Sequence, residues 1–120
     1  MSILGLKTDS AICEIWLDDE IFRWEAGREL AQKLLGKIIE VTPLSEISGV
    51  VVFRGGGSFT GLRIGITVAN SLADALGVPI VGETGEDWRE KATEKLARKV
   101  DEKVVLPFYD REANITKPKK

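Results

Sequence analysis

The chain is 120 residues long, 43% apolar and 30% charged, with a net charge of −2. That length suits one compact domain, and the near-neutral balance excludes a protein that grips nucleic acid through a basic face of its own. One cysteine and no histidine exclude an intramolecular disulfide, a Ser-His or Cys-His dyad and an ordinary zinc site.

The chain opens on a short apolar run, "ILGL" at residues 3–6, followed by the turn "KTDS", where Asp9 and Ser10 can bond their own backbone. "AICEIWL", residues 11–17, alternates as a strand, with Cys13, Ile15 and Leu17 on one face and Ile12, Glu14 and Trp16 on the other. Cys13 therefore reads as buried filler, not as a nucleophile. The turn "DDE" leads into "IFRWE", a third strand, so an antiparallel meander is expected. The carboxylates Asp18, Asp19 and Glu20 read as a solvated turn, and Trp16, Trp24 and Trp88 as packing residues. The period then changes. Leu30, Ala31, Leu34, Leu35, Ile38 and Ile39 recur at helical spacing, predicting a helix from about Arg28 to Val41 with Gly36 as its weak point.

"GVVVF", residues 49–53, is the continuous β-branched run of a strand covered on both faces. A glycine-rich stretch and a long helix follow, ending near Leu76 with Gly77 as the stop and Pro79 just beyond. "PIVG" is a short buried strand. "TGEDWREKATEKLARKV" reads as a charged surface helix with a thin stripe of Trp88, Ala92, Leu96 and Val100; Thr84 and Asp87 resemble a capping box. The tail from Lys103 is expected to add a short strand. The expected class is α/β: an antiparallel trio followed by parallel crossovers in one mixed sheet, the order of a ribonuclease-H-like or actin-like first lobe. No signal peptide or membrane span is legible, and cytoplasm is the expected compartment.

The stretch "GGGSFTGLRIG", residues 55–65, raises the question of a phosphate cradle. It lacks the lysine of a P-loop, and Thr60 stands where a dinucleotide fingerprint needs its third glycine. An anion could still meet the turn and helix start at Gly56, Gly57, Ser58, Thr60 and Arg63, although Ser58 and Thr60 read first as caps. Positions 57, 61, 65, 69, 73 and 77 are Gly, Gly, Gly, Ala, Ala and Gly, one stripe of small residues along the helix. Helical glycines are costly, so something must approach this stripe closely. The apolar arc of the helix is also wider than one contact needs, which asks for a second partner: the neighbouring helix or another chain.

"RGGGSFTGLRIGITVANSLADALGVPIVG", with the opening "ILGLKTDS" and the ending "LPFYDR", closely resembles the TsaB (YeaZ) family. The resemblance implies the first lobe of an actin-like protein with a ribonuclease-H core. It implies a non-catalytic role in making threonylcarbamoyladenosine on tRNA, in a pair with the TsaD transferase joined by the TsaE ATPase, tRNA being reached only through the complex. It also implies a homodimer through the same surface when the chain is alone. The pairing surface of the family's two helices would map to Leu30, Leu34 and Ile38 on the first and Gly61, Leu62, Gly65, Ile66, Ala69 and Ala73 on the second. No catalytic residue, metal or cofactor is expected. Two departures stand out. Lys7 replaces the family's first-strand aspartate, and a charged ammonium cannot ligate a metal cation. The family's second lobe is also absent, so the expected organisation is a lobe over 1–83 and a charged helix with an extended tail over 84–120. The competing expectations are a self-pairing interaction module and a vestigial nucleotide-binding protein without a tRNA role.

Overall fold

The computed structural model describes residues 1–25, 29–55 and 60–107. Strands β1 (Ser2–Lys7), β2 (Ile12–Leu17) and β3 (Glu20–Glu25) form the expected meander. Helix α1 (Leu30–Val41) and a 3₁₀ turn (Leu44–Glu46) lead to β4 (Ile47–Phe53), then α2 (Thr60–Leu76), β5 (Ile80–Glu83) and α3 (Trp88–Ala97). The sheet order is β3-β2-β1-β4-β5. Pairing is antiparallel within the meander and parallel from β1 to β4 and from β4 to β5. This is the mixed sheet that the element order requires.

The alternation of each strand decides which layer it supports. Leu4, Leu6, Cys13, Ile15, Val50 and Val52 are almost fully buried and face α1 and α2. The intervening positions face α3: a Cβ added at Gly5 would touch Trp16, Val51 and the Trp88 ring, and one added at Gly49 would touch Ile3 and Leu96. Trp88 meets Phe53 edge-on, ring centres 6.0 Å apart and planes at 70°. Arg89 then stacks on Trp16 at 4.1 Å and donates to the Asp18 carbonyl at 3.1 Å, tying α3 to the β2–β3 hairpin. Trp88, Ala92 and Val105 thus share one core with the first three strands. The boundary expected at residue 83 falls inside that core, because the sheet needs a cover on its second face and α3 supplies it.

Three local expectations change. The Thr84–Asp87 capping box is not formed: Asp87 is the N-cap of α3 and makes no side-chain cap bond. Its carboxylate instead faces the Lys91 ammonium at 3.4 Å, and a backbone turn from Gly85 to Trp88 admits the helix. Val100 lies past the helix, yet its N–H donates to Lys95 O and that of Lys99 to Leu96 O, closing a Schellman cap. Residues 101–107 hold no strand. Lys103, at φ 66°, turns the backbone out of extension.

The helix stops can be compared directly. Gly77 ends α2 at φ 69° as its sequence promised, whereas the same left-handed position after α3 is filled by Lys99, also at φ 69°. A lysine there carries a Cβ penalty that glycine avoids. Lys99→Gly is expected to stabilise the chain by about 1 kcal/mol, read as a higher urea midpoint with an unchanged slope. An unchanged or lower midpoint would show that the lysine is not strained.

Candidate functional site

In parallel sheets ligands gather at the C-terminal strand ends. Here that rim carries Lys7 at the end of β1 and Thr8 after it, Phe53 at the end of β4 and Arg54 after it, and Glu83 at the end of β5. The Lys7 ammonium pairs with Asp9 Oδ1 at 2.7 Å and sits 4.6 Å above the Phe53 ring. Glu83 pairs with Lys95 and, at 3.6 Å, with Lys91. Burial alone would raise the Glu83 carboxyl; the Lys95 hydrogen bond and the charges of Lys95 and Lys91 outweigh it and hold the group below its ordinary range. The charges of Lys7 and Glu83 are thus matched within the chain. Thr8, only 2% exposed, donates its hydroxyl to the Gly61 carbonyl at 2.7 Å, fastening the start of α2 to the end of β1. Cys13 lies nearby but its thiol is pushed up by burial and then by the Asp9 charge, which suits packing and disfavours a thiolate.

The expected anion contacts divide. Gly56, Gly57 and Ser58 lie outside the described residues, as does the side chain of Thr60. Arg63 is exposed and lines the open groove between α1 and α2, on their outer surface.

The expected pairing residues are placed inward. Leu30, Leu34, Ile38, Leu62, Ile66, Ala69 and Ala73 are at most 3% exposed, and Gly61 and Gly65 are buried. They form the undersides of α1 and α2 against the sheet, so their side chains are closed to any second chain. At Gly65 the small-residue stripe has the same explanation. A Cβ at Gly65 would come within 2.9 Å of Thr8 Cγ2 and closer still to its hydroxyl. The close approach that Gly65 permits is between α2 and the residue that follows β1, Thr8.

What the two helices offer outward is a second apolar row. On α1, Leu35 is 43% and Ile39 52% exposed, with Ala31 one turn earlier. On α2, Ile64 and Val68 are half-buried. Between them runs an open groove of about 480 Å³ lined by Ala31, Arg63, Ile64, Thr67 and Val68. Gly36 is exposed on this side of α1, and a Cβ there would meet nothing within 4 Å. A glycine in mid-helix costs about 1 kcal/mol against alanine, and no close contact among the described residues offsets it. The signal for this row was present in the sequence: Ala31, Leu35 and Ile39 repeat at i, i+4 and i+8 beside Leu30, Leu34 and Ile38.

Known proteins give the same outline. Residues 28–84 match the profile of the family "TsaD: tRNA N6-adenosine threonylcarbamoyltransferase". The tRNA threonylcarbamoyladenosine biosynthesis protein TsaB of Escherichia coli (strain K12) is 29% identical over 132 aligned residues, covering 95% of this chain and 57% of that protein. The protein of the same description from Bacillus subtilis (strain 168) is 51% identical over 35 residues, 29% of this chain and 15% of its own. Among solved structures, YeaZ from Pseudomonas aeruginosa superposes with a TM-score of 0.62 at 28% identity, covering 75% of this chain and 49% of its own. An uncharacterized protein with similarity to peptidase YeaZ from Pseudomonas aeruginosa superposes at 0.59 and 29% identity, covering 69% and 43%. The chain spans about half the length of the E. coli relative and of both solved structures.

Proposed function

Because the chain belongs to the TsaB/YeaZ family, we propose that it serves tRNA threonylcarbamoyladenosine biosynthesis as a non-catalytic subunit. In this reading the outer face of α1 and α2 docks on a TsaD-like transferase. The observation that carries the proposal is the exposed row Leu35 and Ile39 beside the α1–α2 groove, with the otherwise costly Gly36 among them. A glycine with open space above it lets another helix come close, and apolar neighbours give that helix something to bury. A like-built partner suits the face, since the stretch matching the transferase profile, 28–84, contains both helices.

A TsaE-like ATPase joins the pair, tRNA is reached through the complex, and the cytoplasm is its compartment. The absence of histidine and the paired Lys7 support a non-catalytic role. A second reading is a homodimer through the same outward face, whose apolar row can meet its own copy.

Two substitutions test the face without touching the core. Ile39→Asp and Gly36→Trp are expected to weaken binding to the transferase by about a hundredfold, with little change in thermal unfolding. Isothermal titration against the transferase gives the affinity, and nucleoside analysis of tRNA from cells carrying each variant gives the function. Undiminished affinity in both would remove the docking assignment. Loss of self-association alone, with modification intact, would favour the homodimer.

A further inference from the structure

The sheet ends on β5, whose outward backbone groups are those of Ile80 and Gly82. No sixth strand lies beside them among the described residues. Residues 101–107 stand there instead and imitate one. Ile80 N–H donates to Asp101 Oδ1 at 3.1 Å, Glu102 N–H donates to the Ile80 carbonyl at 2.9 Å, and Gly82 N–H donates to Glu102 Oε1 at 3.1 Å. The Asn70 side chain of α2 then holds the next peptide at both ends: its Nδ2 donates to Val105 O at 2.9 Å, and its Oδ1 accepts Val105 N–H at 2.8 Å. Val105, 2% exposed, fills the hollow above Gly82, where an added Cβ would lie 2.5 Å from its Cγ1. Its neighbours Val104 and Leu106 are 61% and 68% exposed. The strap is therefore fastened by a few polar bonds and one buried side chain.

The chain reaches this strap through one residue in the left-handed region, Lys99, and a second, Lys103, lies within it. Lys99 and Lys103 are held at φ 69° and 66°, a region L side chains other than Asn and Asp rarely occupy. Lys99 would relax if the connection straightened, whereas Lys103 keeps its turn wherever Glu102 and Val105 keep their bonds. A straightened strap would leave the Gly82 hollow, the Ile80 edge and the Asn70 clamp empty. The segment that fits them side chain for side chain is the same strap of a second molecule.

We propose that residues 101–107 exchange between two copies of this chain, each strap covering the β5 edge of the other. The swapped pair keeps every strap contact and sheds the backbone strain at Lys99, so exchange needs no new interface. It is independent of the α1–α2 face.

The test uses hinge variants of the full chain that push in opposite directions. Lys99→Pro cannot adopt the left-handed turn and is expected to raise the dimer fraction several-fold in light scattering at equal concentration. Lys99→Gly relaxes the closed hinge and is expected to lower it, while Lys103→Gly, inside the strap in both forms, is expected to leave it unchanged. Amide exchange must place the change: Ile80 and Gly82 stay protected in the dimer. In Asn70→Ala monomers, where the clamp is gone, they should exchange at least tenfold faster. Equal dimer fractions in the parent and Lys99→Gly would overturn the proposal, even should Lys99→Pro fail to fold. So would a Lys99→Pro dimer in which Ile80 and Gly82 exchange freely.

Discussion

Gly65→Val is expected to destabilise the chain by about 2–4 kcal/mol. The new side chain would be driven into Thr8, whose Cγ2 lies within 2.9 Å of an added Cβ. Relief requires α2 to lift from β1 or Thr8 to rotate away from the Gly61 carbonyl it bonds at 2.7 Å. Overpacking of this kind costs about 1–3 kcal/mol, and a buried hydroxyl left without its acceptor about 1–3 more. The better helix propensity of a non-glycine residue returns less than 1 kcal/mol. Urea unfolding followed by circular dichroism gives the loss. The mechanism has its own check in a double-mutant cycle: in Thr8→Ala/Gly65→Ala the hydroxyl and methyl that clash are gone. That pair should lose measurably less than the sum of its single variants. Strict additivity would mean that Thr8 is not what Gly65 makes room for. The same geometry makes bulky residues at Gly65 or Ala69 unsuitable probes of partner binding, since they would break the lobe first.

Trp88→Ala should cost about 3–5 kcal/mol, the range for truncating a large buried aromatic. Trp88 is 3% exposed and is the principal anchor of a helix whose other buried residue is Ala92. Its ring lies over Gly5 and meets Phe53 edge-on, so its removal opens the centre of the face that α3 covers. Against the 5–15 kcal/mol that holds an ordinary domain together, such a loss is a large fraction. A midpoint shift confined to α3, seen as early exchange of its amides while the sheet stays protected, would reveal a separable helix. A single cooperative transition at lower denaturant is the expected result, because α3 and the strands share one core.

Much of the lobe was legible in the chain. Alternation in "AICEIWL" put Cys13 and Ile15 on one face and Cys13 in the interior, and both are buried. The apolar run of β4 correctly announced a strand covered on both faces. Gly77 correctly marked the end of α2. Each of these rests on neighbours a few residues apart, where backbone geometry sets the pattern. The capping box failed for an equally local reason: the helix starts at Trp88, so Asp87 and not Thr84 stands at the N-cap, and its carboxylate faces Lys91.

The candidate site was half legible. On α1 two apolar rows, Leu30-Leu34-Ile38 and Ala31-Leu35-Ile39, are equally good faces in the sequence, and a one-residue rotation separates them. Only the position of the sheet, fixed by β4 pairing beside β1, decides that the first row goes under and the second stays out. The stripe of small residues on α2 likewise stated that something comes close but not what, and the answer, Thr8, is 57 residues away from Gly65 in the chain. Local periodicity decided which residues become helix and strand, and that a close approach exists. The direction each face points, and so which residues remain free to meet a partner, was decided by contacts between segments far apart in sequence. Only the folded chain brings those segments together.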